Sequence, residues 1–575
     1  MQLQTDVAGE SAVEGEHRRT RRRQAALTAL LLGVAGVGYR VVLLAAGVPP
    51  ANSDEATMGL AALHISQGRE LPVYFYGQHY MGTLEAYLAA PVVALAGPDI
   101  WALRLPLLLL YAVFLLAMWQ LTRRLYTPWF ATAIVGLLGF GSHRVIQNQF
   151  VAGGGYPEIN PGAALLLLIA VVLGFRGAAA RHAYGLYLAF GFIAGLLIWN
   201  DWLVAPYVAV AALLLLLPGA RPLLGRPGLA LLGGLLLGIA PLLWHDLTQP
   251  VGNGAIATFL NMSDGAAETG WAQRLHGGVL LGVPLAQGFC GYGRCEPWQI
   301  AWAPLWGLLL TAATVAAARG LWRRRAAAGP PLAQADPRLA QADPRLAQAG
   351  PPLPQAGPER TAAQDRERTR QAGRLALLVA AAITVLMYVR DDAAAVTPWE
   401  SARYLHGLLI ATAAVCWPLW WAARRAVGRP VRVAGIAGLA FVAALGLTAS
   451  GTVLMRRQEI SAIDDGQRLL ATELPRAGTT ALYSDYWTCN LVTYLAGERV
   501  RCAVLDERLH PGYDRYAAYA PQVAAVPEQT FAFVTGSPGD AALAQWFAAD
   551  GTPVEITTMG GYTLYRPLRP VPLPR

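Results

Sequence analysis

The sequence predicts a polytopic α-helical membrane protein of about eleven spans, followed by a C-terminal extracytoplasmic α/β domain. Three observations predict it. The 575 residues are 55% hydrophobic and only 14% charged, with a mean hydropathy of +0.37. A soluble surface needs more charge than that. The apolar residues run in blocks with no polar face, such as 163–173 and 229–240. Only after about Arg456 does the composition turn to that of a water-soluble domain.

Arginines orient the spans. Lys and Arg total 45 against 36 Asp and Glu, a net charge of +9, and every one of the 45 is Arg. They gather at the ends of apolar blocks, as topology signals do, so no nucleic-acid partner is expected. Arg18, Arg19, Arg21, Arg22 and Arg23 precede the first span, 25–47, which makes 1–24 a basic cytoplasmic N-terminus. The long apolar stretch and the lack of a small-residue cleavage site argue against a signal peptide. Further spans are expected at 101–121, 128–141, 161–175, 183–199, 203–217, 228–244 and 301–321, then at 373–389, 404–422 and 432–454. Alternate connections carry Arg123 and Arg124, Arg176 and Arg181, Arg221 and Arg226, Arg323–Arg325, then Arg424, Arg425, Arg429 and Arg432. These connections are assigned to the cytoplasm of a multi-pass plasma (inner) membrane protein. The other set carries acids, histidines, glycines and aromatics. Residues 25–325 then form a transmembrane region with outer loops 48–100 and 245–300, and 372–455 hold the remaining spans.

Residues 326–371 read as a disordered cytoplasmic linker. A heptad beginning Leu332-Ala-Gln-Ala-Asp-Pro-Arg recurs at Leu339 and decays at Leu346 and Leu353. A proline in each unit excludes a coiled coil. In the tail, 456–575, strands are expected at 480–487, 530–535, 554–557 and 562–565, with helices at 461–474 and 541–549. Of five cysteines, Cys290 and Cys295 fall in an outer loop, Cys489 and Cys502 in the outer tail, and Cys416 in an apolar span. Two disulfides outside the membrane fit this better than a metal site, because Cys290 and Cys295 have no second Cys pair nearby.

The first outer loop carries the strongest chemistry. It opens Asn52-Ser53-Asp54-Glu55-Ala56, two adjacent carboxylates at the water boundary. Such a pair can take a proton from a hydroxyl or hold a divalent ion such as Mg or Mn against a phosphate. The plainer alternative is a helix start capped by Ser53 or Asp54. The stretch 74–87 then adds Tyr76, Gln78, His79 and Glu85 among aromatics and glycines, ahead of an apolar run too short to span. Membrane anchoring alone explains the tyrosines. Rings with hydrogen-bonding tips also suit a polyol ligand.

In order, Ser53-Asp-Glu-Ala, Leu71-Pro-Val-Tyr-Phe-Tyr-Gly-Gln, Tyr80-Met-Gly-Thr-Leu-Glu-Ala-Tyr and Ala102-Leu-Arg-Leu-Pro resemble the N-terminal half of the GT-C glycosyltransferase superfamily. The branch they resemble is the protein mannosyltransferase and aminoarabinose transferase type, or glycosyltransferase family 39-like. Gly153-Gly-Gly-Tyr-Pro-Glu158, Glu400-Ser-Ala-Arg-Tyr-Leu405, Tyr483-Ser-Asp-Tyr-Trp487 and Leu495-Ala-Gly-Glu-Arg499 extend the resemblance. It implies transfer of a sugar from a polyprenyl-phosphate donor to a protein, lipid or glycan acceptor on the outer face. It places the catalytic acid at Asp54, with Glu55 as neighbour. In that branch an Asp-Glu pair stands where other members carry Asp-X-Asp, so an obligatory metal is not implied. Arg104 matches an arginine that pairs with the acidic loop, with a snorkelling role as its alternative.

Donor- or acceptor-binding roles are also expected for Tyr156, Glu158, Arg403 and Tyr404. An arginine at 403 suits a forked bond to phosphate. Asn160, before Pro161, reads as a helix cap. Asp201 and the His245-Asp246 pair fall at outer ends of spans, and Arg40 is placed to snorkel to the surface. Two readings compete with a transferase: a transporter or flippase for lipid-linked sugars, and a non-catalytic cell-envelope assembly protein. Transporters gather ionisable groups near the midplane in repeated halves. Here those groups gather at one face and no halves repeat.

Overall fold

A computed structural model describes residues 2–250, 253–261, 269–291, 293–327, 358–425 and 428–571. Among these, seven helices are long and apolar enough to cross a membrane: Arg19–Ala45, Ile100–Leu125, Tyr156–Arg176, Arg226–Thr248, Pro297–Arg323, Ala362–Arg390 and Arg429–Met455. Two bent pairs, Pro128–Leu138 with His143–Phe150 and Pro398–Leu405 with Leu408–Arg424, raise the number to nine. By length and composition the described residues thus give seven to nine spans, against the eleven expected from hydropathy. The helices Tyr184–Asn200 and Trp202–Leu214 are apolar but shorter than that standard. They are separated by Asp201, whose carboxylate caps the short turn that follows by accepting from Leu203 N at 2.8 Å.

Small residues set the closest packing. Gly191 and Gly195 face Gly234 and Gly238 across the pair Tyr184–Asn200 and Arg226–Thr248. A Cβ on any of the four would collide with backbone of the facing helix. In lipid, where apolar burial gives little drive, such close approach supplies the dispersion that joins helices.

Interior charge is handled by pairing. Arg40, expected to snorkel, is instead fully buried and donates to Gly139 O at 2.9 Å and Gln149 Oε1 at 3.2 Å, with its guanidinium 4.7 Å from the Tyr111 ring centroid. An arginine inside the bundle needs such acceptors.

Residues 457–571 fold beside the loop 48–100 as a five-stranded sheet with flanking helices. The strands are β1 (Ala481–Ser484), β2 (Arg501–Val504), β3 (Thr530–Val534), β4 (Val554–Met559) and β5 (Tyr562–Pro567), in the order β2-β1-β3-β5-β4. β1 runs parallel to both β2 and β3, while β5 is antiparallel to β3 and β4. Gly560 and Gly561, at φ +58° and +81°, turn the β4–β5 hairpin. The strand expected over 480–487 stops at Ser484, because Asp485 caps a helix, Tyr486–Leu495, accepting from Trp487 N at 2.8 Å. Disulfides join Cys290 to Cys295 and Cys489 to Cys502, the latter tying that helix to β2, and Cys416 is a buried free thiol.

Most of the repeat segment, 328–357, lies outside the described residues. Within the segment expected as linker, 358–371 form the start of the helix Pro358–Arg390. No proline lies between 359 and 397, which leaves those residues free to continue a helix into the span. The first helix runs Gln2–Ala45.

Candidate active site

The loop 48–100 is built around a buried ion pair. Asn52, rather than Ser53 or Asp54, caps helix Ser53–Ser66 by accepting from Glu55 N at 2.9 Å. That start turns Glu55 inward. Arg104, near the start of helix Ile100–Leu125, donates Nε to Glu55 Oε1 at 2.7 Å and Nη2 to Oε2 at 2.6 Å. Its Nη1 also donates to Pro49 O at 2.8 Å. Both side chains are buried, and burial pushes the Glu55 carboxyl up while Arg104 draws it back only in part. Glu55 therefore clamps the loop to a span and does not line the cavity beside it.

Asp54, one residue earlier and about 100° around the helix, points the other way. It lines a cavity of about 280 Å³ together with Gln78, Tyr80, Tyr156, Arg403 and Tyr404. Its Oδ1 accepts from Arg515 Nε at 2.8 Å and from the Tyr486 hydroxyl. Both donors come from the C-terminal unit. Arg515 is held in turn by Tyr486 OH at 2.6 Å and lies 4.6 Å from the Phe75 ring centroid. Sequence reasoning missed Arg515, Tyr486 and Asp201 as members of one site.

Arg403 faces Asp54 across the cavity. Its guanidinium carbon is 5.4 Å from the Tyr156 ring centroid and 5.5 Å from that of Tyr404. Its Nε is buried with no acceptor among the described residues. A buried donor left open in this way is costly unless a water or ligand atom meets it.

Beneath the cavity lie three buried acids. Glu85 accepts from Gly154 N at 3.0 Å and Gly155 N at 3.1 Å. Those glycines sit at φ +97° and +98°, where a Cβ would also strike Met81 or Asp201. Gly155 thereby starts helix Tyr156–Arg176, and Asn160, expected as its cap, lies inside it and bonds His406 at 2.7 Å. Glu158 is buried beside Glu85 and Asn200. Asp201 lines the cavity floor, where burial pushes its carboxyl up to about 7 despite its bond from Leu203 and the nearby Arg403.

Other expected members stand elsewhere. Tyr76 donates to Glu70 Oε2 at 2.6 Å and lies 2.8 Å from His64 Nδ1, in a polar cluster that docks the loop on the C-terminal unit. His79 is exposed and stacks on His245 at 5.6 Å. Asp246 accepts from Ala255 N at 2.7 Å. Among the described residues no group of three or more His, Cys, Asp or Glu side chains converges to hold a metal ion.

A bent helical bundle in which a loop presents an acid to a half-buried cavity is a fold that this chain shares with solved structures. It is similar to ArnT from Cupriavidus metallidurans, solved in the apo state, over 94% of this chain and 98% of that one, at 13% identity and TM-score 0.52. The same protein bound to undecaprenyl phosphate aligns over 94% and 97%, at 12% identity and TM-score 0.54. The archaeal oligosaccharyltransferase AglB from Archaeoglobus fulgidus, in complex with an inhibitory peptide and a dolichol-phosphate, aligns over 95% of this chain and 74% of that one, at 11% identity and TM-score 0.43. No family model matches the chain, and no curated protein matches it.

Proposed function

We propose that this protein is a membrane glycosyltransferase that moves a sugar from a polyprenyl-phosphate carrier to an acceptor hydroxyl at the extracytoplasmic face. One observation carries the reading: a carboxylate and a buried arginine with an open donor share one cavity. The likeness to a protein solved with undecaprenyl phosphate supplies the class of carrier.

The phosphate sits against Arg403, whose flanking rings Tyr156 and Tyr404 hold the guanidinium flat for a forked bond. The prenyl chain runs out past Leu203, Pro206 and Met387, the apolar side of the same cavity. Met387 is 52% exposed, which opens that side toward lipid. The sugar lies between Arg403 and Asp54, beside Gln78 and Tyr80. As the acceptor oxygen bonds to the anomeric carbon, the bond to the phosphate oxygen breaks and Arg403 stabilises the departing charge. The acceptor proton passes to Asp54. Both hydrogen bonds to Asp54 fall on Oδ1, so Oδ2 is free among the described residues to receive it. Arg515 and Tyr486 hold that carboxylate in place as positioning residues.

The catalytic end carries the C-terminal unit, and the opposite end gathers Arg123, Arg124, Arg370 and Arg374, with Arg374 Nε donating to Leu125 O at 2.9 Å. That charge separation supports a cytoplasmic N-terminus and an extracytoplasmic active site.

The test incubates purified protein with radiolabelled polyprenyl-phosphate sugars and identifies the product. Asp54→Asn is expected to lower transfer by about a hundredfold or more while donor binding persists. Undiminished transfer by that variant, or carrier translocation without any transfer, would refute the reading.

A further inference from the structure

A second cavity, of about 580 Å³, opens in the C-terminal unit at the carboxyl ends of β1, β2 and β3. β1 lies between β2 and β3, so the chain leaves it to opposite sides and a crevice forms where the connections part. Asp485 and Trp487 follow β1, Asp506 and Glu507 follow β2, and Ser537 follows β3. The volume is that of an ordinary small-molecule site.

We propose that this crevice binds the acceptor, and that the acceptor is a neutral or amino-bearing glycan. The proposal rests on the transferase reading and adds the acceptor class to it.

Three observations agree. First, an aromatic shelf floors the crevice. Trp487 and Tyr513 are 57% and 58% exposed, and Tyr486 lies between them, at centroid distances of 5.1 Å and 5.6 Å. Ring faces left in water beside hydrogen-bonding groups accept the C–H face of a pyranose while its hydroxyls bond the rim. Second, every ionisable carboxylate or guanidinium lining the crevice is an acid: Asp485, Asp506 and Glu507. Asp485 and Asp506 already accept backbone bonds, from Trp487 N and His510 N at 2.8 Å each, which leaves Glu507, an exposed side chain, to take sugar hydroxyls or an ammonium. An anionic glycan or a phosphate is repelled here and drawn instead to Arg403. Third, the two cavities share a wall. Tyr486 lines the crevice and its hydroxyl donates to Asp54, while Tyr513 OH accepts from Arg515 Nη1 at 3.2 Å. A sugar stacked on the shelf thus has its next unit beside the carboxylate that takes the proton.

The experiment uses the full-length protein in detergent with four probes: a neutral oligosaccharide, an amino-sugar oligosaccharide, a uronic-acid oligosaccharide and a Ser/Thr-bearing peptide. Binding is read by saturation-transfer NMR, and transfer by the radiolabelled-donor assay. Trp487→Ala and Glu507→Gln are expected to raise the KM for the neutral or amino glycan about tenfold and to abolish its saturation transfer, with donor affinity unchanged. A thermal unfolding transition in detergent close to that of the parent shows that each variant has folded. If Asp54→Asn stops transfer but both crevice variants keep the wild-type acceptor KM, the crevice proposal falls and the transferase stands. If the peptide or the uronic-acid chain is the better acceptor, or binds with equal saturation transfer, the glycan assignment falls. If no donor sugar moves at all, the transferase reading falls, and the binding arm alone decides whether the crevice takes glycans.

Discussion

Adjacent carboxylates of one loop have been given different work, and the division can be tested by breaking the buried pair. Glu55 and Arg104 are joined by two hydrogen bonds of 2.7 and 2.6 Å, with side chains 0% and 3% exposed. Arg104→Ala leaves a buried carboxylate with no cation, and Glu55→Ala leaves a buried guanidinium whose remaining acceptors are the carbonyls of Pro49 and Pro50. Each single change is expected to cost about 3–5 kcal/mol. Four of those is roughly a thousandfold in the folded-to-unfolded ratio, at about 1.4 kcal/mol per tenfold. Glu55→Leu with Arg104→Met removes both charges and keeps volume, so the double variant should recover to within about 1–2 kcal/mol of the parent. The assay is a double-mutant cycle on thermal unfolding in detergent, read beside sugar transfer per folded molecule. A coupling near zero would refute the clamp. A well-folded double variant as inactive as Asp54→Asn would refute the division of labour, because it would put Glu55 in the chemistry.

Three further outcomes follow from the same geometry. Arg403→Lys keeps a charge but loses the fork and the two ring contacts, so the donor KM should rise about tenfold to a hundredfold with acceptor KM unmoved; equal donor KM would remove Arg403 from the phosphate site. Burial raises the Asp201 carboxyl to about 7, so it is neutral below that pH and charged above it, beside the proposed phosphate. Donor KM should climb as pH rises through 7, and Asp201→Asn should flatten that rise. The Cys489–Cys502 bridge closes a loop of sequence separation 13, so Cys489→Ala with Cys502→Ala should lower the stability of the tail by about 3 kcal/mol, seen as earlier proteolysis of the full-length chain.

The parts of this structure legible in the sequence are those set by local rules. Apolar blocks become helices, Arg-rich ends gather together, and cysteines with the right surroundings pair. The break between Tyr184–Asn200 and Trp202–Leu214 is legible as well, since hydropathy separates 183–199 from 203–217 and Asp201 starts a new turn in that gap. The Ser53–Glu55 start illustrates a limit. Composition flagged both acids, but which one meets a ligand depends on the phase of the helix, and that phase is set by Asn52 as cap. Arg40 shows another: near the end of a span an arginine can reach water or be enclosed, and the enclosing acceptors come from Gly139 and Gln149, about 100 residues on.

Arg515 marks where reading a single sequence stops. It lies 461 residues from Asp54, in a segment with no pattern of its own, and reaches the acid only because the tail packs on the first outer loop. The contacts that make that packing are specific. Asn490 Nδ2 donates to Thr57 Oγ1 at 3.0 Å, Tyr494 OH donates to Asp99 O at 3.0 Å, and Arg69 pairs with Glu498. A loop that presents a carboxylate to a cavity at a lipid boundary has few partners of its own to hold it. The membrane region supplies one anchor, the Glu55–Arg104 pair behind the acid. The tail supplies the other, Arg515 and Tyr486 in front of it. The carboxylate is thus fixed from both sides by residues that no short motif contains, and the C-terminal unit is part of the site rather than an appendage to it.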